Sequence, residues 1–256
     1  MRNFVHTVVA IILISGCAQY SKASEFVHIP GGDFRSVIPE AEGDNLITVG
    51  DFLLQDAPVT NAEFLQFVLH NPAWQRGNAV SLFVDDQYLS AWSGPISLGT
   101  QAGPQQPVTQ VSWFAANAYC ESQYARLPSW YEWEYVAAAD DSQADARENP
   151  EWRQTILSWY SKTGGDSLAD VRSGSANYYD VYDAHGLVWE WVDDFNAFLV
   201  SGDNREQGGA DQLQFCGAGA ITMEEKENYA VLMRVAMLSS LEAGYTTRNL
   251  GFRCAR

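Results

Sequence analysis

The sequence predicts an α+β domain with little regular secondary structure. Apolar residues with the period of a helix or a strand occur only in a few short segments, and turn-forming residues are spread along the whole chain. Nine tryptophans stand among the 256 residues, which suits a core in which large aromatic side chains pack under long loops. The length is enough for one domain with a substantial core, or for two small ones.

The start of the chain has the pattern of a bacterial lipoprotein signal. Phe4–Ile14 is apolar but too short for a stable membrane span, and small residues precede Cys17. We therefore expect a signal peptide at residues 1–16, acylation of Cys17, and a lipidated tether at residues 17–25. Ala18 follows the cysteine where an aspartate would favour the inner membrane, so we expect anchoring on the periplasmic side of the outer membrane of a Gram-negative bacterium. The alternative is an ordinary signal peptide with a chance cysteine.

Two short strands and a helix are predicted next. Phe26–Phe34 has the composition of a strand that ends in a Pro-Gly-Gly turn, and Phe52–Leu54 that of a second strand. Thr60 is a good helix N-cap, and Glu63 three residues later completes a capping box. The apolar face and the end of this helix are formed by Phe64, Phe67 and Val68 and by Asn71–Pro72.

Two further helices are predicted in the middle of the chain. The second helix follows Ser112 and contains Cys120, and Phe114 and Ala118 recur along it at helical spacing. The third begins with a capping box of Ser129 and Glu132. Its inner side is expected to carry Trp133, Val136 and Ala137.

The remaining segments give weaker signals. Helical patterns are present at Trp152–Tyr160 and Glu224–Leu238, and Gly251–Cys254 is predicted to be a closing strand. Residues 140–149 and 164–183 have the composition of loops.

The charge balance excludes one class of partner. Aspartate and glutamate number 32 against 15 lysines and arginines. Nucleic-acid binding needs a basic surface, so we expect no nucleic-acid partner. The acidic excess suits an exported protein and a protein that binds cations, although surface solvation accounts for most of the charges.

Six motifs follow one another along the chain: Val27–Phe34, Pro58–Phe64, Pro107–Trp113, Arg126–Tyr135, Gly186–Trp191 and Asn249–Cys254. In this order they resemble the formylglycine-generating enzyme family, also called sulfatase-modifying factors. The resemblance covers nearly all of the mature chain, so we expect residues 26–256 to form one such domain. It implies a variant of the C-type-lectin fold, in agreement with the α+β prediction.

The resemblance also implies an oxidase, but this chain departs from the family at the catalytic position. Active members oxidise a sulfatase cysteine to formylglycine with dioxygen and copper held by two thiolates, since soft thiolates suit Cu(I). Here no cysteine occurs from Gly217 to Arg253, and Glu225 and Ala230 stand at the copper positions. We therefore do not expect copper or the family's oxidation by its usual route.

The resemblance pairs two of the four cysteines. Cys120 and Cys254 match a structural disulfide of the family, and an oxidising periplasm would favour it; two buried free thiols are the alternative. Cys216 is left over. It is a candidate thiol, metal ligand or intermolecular partner, or simply a small buried apolar residue.

The segment Asp183–Asp194 resembles a calcium site of the family. The resemblance implies that the side chains of Asp183 and Glu190 and the carbonyls of Gly186 and Val188 bind Ca²⁺, an ion that takes six to eight oxygen ligands. In the alternative, Glu190 caps a turn and Asp183 is solvated.

These expectations lead to three functional hypotheses. The first is a lipoprotein that binds another exported protein or assists its maturation, with a link to copper or nitrite reductase systems as a refinement. The second is a formylglycine-generating-type oxidoreductase that acts on sulfatase cysteines or another exported protein, using Cys216 with a methionine or a different cofactor. The third is a structural lipoprotein of an envelope assembly.

Overall fold

Short strands pair at three separate places in the computed structural model of the chain. The structure describes residues 24–37, 46–161, 167–198, 233–234, 236–238 and 240–256. Antiparallel pairs join β1 (Phe26–Ile29) to β4 (Phe52–Gln55) and β2 (Gly32–Arg35) to β3 (Leu46–Val49), and a parallel pair joins β5 (Trp189–Glu190) to β6 (Leu250–Gly251). The strand predicted to end at the Pro-Gly-Gly turn is confirmed as β1, whereas β2, in which the chain resumes after the turn with a different partner, was not predicted.

The helices follow the capping signals in the sequence. Their bounds are α1 (Asn61–His70), α2 (Trp113–Ser122), α3 (Trp130–Ala137) and α4 (Pro150–Ser161), with short 3-10 helices at Pro72–Trp74 and Phe195–Phe198. Both predicted capping boxes are confirmed. The amide of Glu63 donates to Thr60 Oγ1 (3.2 Å) and the amide of Thr60 to Glu63 Oε2 (2.7 Å), and Ser129 and Glu132 make the same pair of bonds.

The inner face of α2 differs from the helical pattern noted in the sequence. Its buried residues are Ala115, Ala116, Tyr119 and Cys120, whereas Phe114 and Ala118 are half-buried. Small side chains let the helix approach the core closely, and Phe114 instead packs against the exposed ring of Phe83, with 5.0 Å between the ring centroids.

Aromatic rings form the centre of the core. The fully buried ring of Phe64 contacts four others, those of Phe67, Trp92, Tyr119 and Phe252. The predicted inner residues of α3, Trp133, Val136 and Ala137, are also buried. Buried indole N–H groups are satisfied, since Trp92 Nε1 donates to Asn61 Oδ1 at 2.9 Å.

The last residues of the chain run through the middle of the domain. Cys254 O accepts from the amide of Gln55, and Ala255 forms bridges with both Leu54 and Arg126. The strand predicted at Gly251–Cys254 is therefore shorter than expected: β6 ends at Gly251, and single bridges replace a ladder beyond it. A disulfide joins Cys254 to Cys120 in α2, with a Cα–Cα distance of 5.5 Å, which is the pairing that the resemblance implied.

Several predictions concern residues outside the described ranges. They are the signal peptide at 1–16, the acylated Cys17 with most of its tether, Cys216, and most of the helix at Glu224–Leu238. Among the helices that the structure does describe, none has the length and apolar character needed to cross a bilayer.

Candidate functional site: the loop from Asp183 to Glu190

The segment from Asp183 to Glu190 is a tight loop that leads into β5. Asp183 and Gly186 have left-handed backbone conformations, with φ of 57° and 87°. A Cβ atom at Gly186 would lie 2.8 Å from the ring of Trp159. This position therefore needs glycine both for its conformation and for the close approach of the indole. The pairing of β5 with β6 then places the side chain of Glu190 in the core, where it is fully buried.

Glu190 forms a buried, bidentate ion pair with Arg253. Arg253 Nε donates to Glu190 Oε2 at 2.9 Å, and Nη2 donates to Oε1 at 2.7 Å. The same guanidinium donates to the carbonyls of Tyr182 (2.9 Å) and Gln55 (3.3 Å). Arg253 thus ties together the residues at both ends of the loop, in the parallel geometry that gives the strongest hydrogen bonds between a guanidinium and a carboxylate.

Asp183 lies at the other end of the loop, beside a second arginine. Its Oδ2 accepts the backbone N–H of Arg172 at 2.6 Å, while the guanidinium of Arg172 pairs with Asp56, with Nε 2.8 Å from Oδ2. Burial raises the pKa of Asp183 above its usual value, and the negative charge of Glu190 adds to this effect. The two predicted carboxylate ligands are therefore close enough to interact electrostatically.

A third arginine contacts the same loop from another side. Arg234 is buried, and its Nη2 donates to the carbonyl of Glu190 at 2.6 Å. Its guanidinium carbon lies 3.4 Å from the centroid of the Trp133 ring, the geometry of a cation–π contact. The loop is consequently held by two guanidinium groups, those of Arg234 and Arg253, and by the backbone N–H of Arg172.

The ring of His185 leaves the loop and packs against α3 and α4. Its Nε2 is 2.7 Å from the carbonyl of Ala137, and burial lowers its pKa to about 4, so the ring is neutral at pH 7. Three indoles surround it, those of Trp133, Trp152 and Trp159. The imidazole therefore acts as a packed hydrogen-bonding group.

The four predicted calcium ligands lie on this one loop, and their donor chemistry fits Ca²⁺. Asp183 and Glu190 supply carboxylates, and the backbone at Gly186 and Val188 supplies carbonyls. A carboxylate has about four lone-pair positions, so the bonds from Arg172 and Arg253 leave acceptor capacity. Across the described residues no three His, Cys, Asp or Glu side chains form a metal-binding group. This set has only two such side chains, and calcium here stays a prediction.

The sequence did not indicate the arginines that organise the loop. Arg253 could have been suspected, because it is the only charged residue of the closing motif Asn249–Cys254. Arg172 and Arg234 carry no such signal, since neither lies in a motif and their partners are distant in the chain.

Comparisons with known proteins identify the family of the chain. A family model described as the sulfatase-modifying factor enzyme 1-like domain matches residues 15–256. The chain is 27% identical to the inactive C-alpha-formylglycine-generating enzyme 2 of Mus musculus, over 90% of this chain and 84% of that protein. It is 26% identical to the formylglycine-generating enzyme of Streptomyces coelicolor, over 90% of this chain and 88% of that one.

A solved structure is similar in fold. The crystal structure of CarF superposes with a TM-score of 0.50 and 18% identity, over 91% of this chain and 98% of that chain. The predicted fold class is thus confirmed, with few regular elements around an aromatic core. The chain belongs to the sulfatase-modifying factor family, whose name-giving members are the formylglycine-generating enzymes.

Proposed function

We propose that the protein is a non-oxidising member of its family, a periplasmic lipoprotein that binds another exported protein or assists its maturation. One observation carries the proposal. Of the four cysteines, Cys120 and Cys254 are fully buried in a disulfide, and Cys17 precedes the domain. Only Cys216 remains, so the folded domain has no pair of thiolates with which to hold Cu(I).

The relatives alone do not decide between an oxidase and a binding protein. The chain is about as similar to a relative named inactive as to one named formylglycine-generating enzyme. The number and the pairing of the cysteines therefore distinguish the two hypotheses, and they favour the non-oxidising one.

An exposed apolar surface supports a binding role. Val80 and Leu82 are 58% and 76% exposed, and Phe83 and Tyr245 next to them are also exposed. The two segments are joined, because the amide of Asp85 donates to the carbonyl of Gly244 at 3.0 Å. Contiguous exposed apolar side chains of this kind commonly mark a protein-binding surface.

The charges beside this surface indicate the chemistry of a partner. Asp86 and Glu242 are exposed in the same two segments, and the whole chain carries a formal net charge of −17. A partner segment with apolar and basic side chains would be complementary to this surface.

Two measurements test the proposal. The purified chain is incubated with a sulfatase-type cysteine peptide, copper and dioxygen, with the Streptomyces coelicolor relative as positive control, and the peptide is analysed by mass spectrometry. We expect no aldehyde product, and its formation would overturn the proposal. Cu(I) titration of wild type and Cys216→Ser should give the same weak binding; tight binding that Cys216→Ser abolishes would favour the oxidoreductase hypothesis.

The binding role has its own test. Exported candidate partners, including a sulfatase and a copper nitrite reductase, are passed over the immobilised protein. Leu82→Asp should abolish retention of the true partner, whereas Ile96→Asp, at a residue that is 48% exposed in the separate turn Gly94–Ser97, should not. Equal loss in both variants would contradict the proposed surface.

We also propose that Ca²⁺ binds the loop from Asp183 to Glu190. The ion would be held by the carboxylates of Asp183 and Glu190 and the carbonyls of Gly186 and Val188. It would offset the repulsion between the two carboxylates and so stabilise the loop.

A further inference from the structure

Tyr124 is placed on the surface at an energetic disadvantage. Its side chain is 94% exposed, and its backbone is left-handed with φ of 54°. It follows the C-cap of α2, a position at which glycine is the usual residue because a Cβ atom is disfavoured there. Neither the end of the helix nor the core explains why an aromatic side chain stands here.

The neighbours of Tyr124 define one face of the domain. Arg256 Nη2 donates to the carbonyl of Gln123 at 2.7 Å, and the guanidinium carbon of Arg256 lies 3.9 Å from the centroid of the Phe26 ring. Phe26, Gln123, Tyr124 and Arg256 are thus contiguous, and we call them the Tyr124 face. It combines the exposed residues Tyr124 and Arg256, one aromatic and one cationic.

The chain enters the domain at this face. Phe26 belongs to it, and the two residues before Phe26 are fixed to the domain. The amide of Ser24 donates to Glu63 Oε1 at 2.6 Å, and the amide of Glu25 donates to Asp56 Oδ1 at 2.9 Å. The point at which any preceding tether attaches is therefore defined.

The length of the preceding chain limits how far this point can be from an anchor. Seven residue steps separate Cys17 from Ser24, and a fully extended chain covers at most about 25 Å over that number. If Cys17 carries the lipid, as the proposed function holds, Ser24 must lie within that distance of the bilayer, and Phe26 of the Tyr124 face follows two residues later.

We propose that the Tyr124 face rests on the bilayer surface of the anchoring membrane. The phenol of Tyr124 lies at the level of the headgroups, where an apolar ring and a polar hydroxyl are both accommodated. Arg256 faces lipid phosphates, which it can contact with paired N–H groups. A strongly acidic protein is repelled by anionic lipid, so a face that presents a guanidinium is a favourable side to turn toward the membrane.

The Tyr124 face suits a protein that is already anchored to the membrane, rather than one that must bind lipid from solution. Glu25 and Glu121 are exposed in the adjoining segments, which weakens attraction to anionic headgroups. The anchor compensates, because it holds the face at a high effective concentration near the lipid. The proposal rests on anchoring at Cys17. Its test therefore distinguishes a failure of the anchoring from a failure of the contact between the Tyr124 face and lipid.

The test measures the depth of a spin label in the full, lipidated chain. In a Cys216→Ser background, Tyr124→Cys is labelled and the protein is reconstituted into vesicles of phosphatidylethanolamine and phosphatidylglycerol. Tyr178→Cys is the matched control, because Tyr178 is also exposed and belongs to the turn bonded to Asp140. We expect the label at 124 to lose accessibility to a water-soluble nickel complex and to gain accessibility to oxygen, and the label at 178 to do neither.

Three results would overturn the proposal. Equal accessibility of the two labels would show that the face is in water. Shielding of the 124 label in native envelope vesicles but not in protein-free vesicles would assign the face to a protein partner. An acyl group missing from Cys17 by mass spectrometry would remove the anchoring itself, and this result is read independently of the labels.

A second variant tests the reason for the tyrosine. Tyr124→Gly should keep or increase the stability of the unlipidated chain toward urea, because it relieves the left-handed conformation. The same variant in lipidated form should lose its fixed orientation on vesicles, reported by a label at Tyr178. A loss of stability without a change in orientation would mean that Tyr124 has a structural role instead.

Discussion

The buried pair of Arg253 and Glu190 allows the sharpest test of how the loop is held. Both side chains are almost fully excluded from solvent, at 1% and 0% exposure. Arg253→Met would leave a buried carboxylate without either of its guanidinium bonds, and Glu190→Gln would leave a buried guanidinium without its charge partner. Removing one partner of such a pair costs about 3–5 kcal/mol, so each single variant should lose that much unfolding free energy.

The double variant gives the coupling between the two groups. Arg253→Met with Glu190→Gln leaves no unpaired charge, so its loss should fall short of the sum of the single losses by about 2–3 kcal/mol. Arg126→Met is the matched control, since the pair of Arg126 with Glu132 is partly exposed (46% and 13%) and should contribute only about 0–1 kcal/mol.

Urea unfolding followed by tryptophan fluorescence measures these changes, first in EGTA and then with added Ca²⁺. A loss below about 1 kcal/mol for Arg253→Met, or strict additivity in the double variant, would refute the assignment of Arg253 as the residue that closes the loop. If added Ca²⁺ restores the unfolding free energy of Arg253→Met, a bound cation can neutralise Glu190 in place of Arg253.

Three further predictions concern other parts of the fold. Replacing Cys120 and Cys254 together by alanine should lower the unfolding free energy by about 5 kcal/mol in the chain-entropy model, given their separation of 134 residues; a urea midpoint close to that of wild type would contradict this. Burial raises the pKa of Glu134 above its ordinary value of 4.5, so the stability contributed by this group is complete below that pH and is lost as pH rises through the folded-state pKa. The stability difference between wild type and Glu134→Ala should therefore shrink from acidic to neutral pH, and a growing difference in pH-dependent urea unfolding would show the opposite linkage. Calcium at about 100 times its Kd should stabilise wild type by about 2.7 kcal/mol but leave Asp183→Ala unchanged in thermal unfolding, and an equal response of both would place the ion elsewhere.

The sequence predicted best those elements whose causes are local. The capping boxes at Thr60 and Ser129 each use a side chain three residues away, and both helices begin where these boxes indicated. The α2 face was less clear, because alanines and a cysteine make up most of its buried side and give no strong apolar period. The capping pattern therefore predicted where helices begin better than the apolar period predicted which side of a helix faces the core.

The charged groups around the candidate site could not be predicted in this way. Arg172 meets Asp56 across 116 residues and Arg253 meets Glu190 across 63. Such partners are set by how distant segments come together, and no periodicity or capping rule links them. The family resemblance supplied the loop and its oxygen donors, whereas the Arg253 guanidinium that shares the Glu190 carboxylate became visible only in the structure.

The position of the final residues has a consequence for how the protein folds in the cell. The segment from Leu250 to Arg256 pairs with β4, with the chain at Arg126 and with β5, and it carries one half of the disulfide. Contacts at such large sequence separation form late and slow the search for the native state. The domain cannot complete its core until this segment has been synthesised and is free to pack. The chain should therefore remain open to aggregation until this segment has packed, and formation of the disulfide between Cys120 and Cys254 should mark the end of its folding.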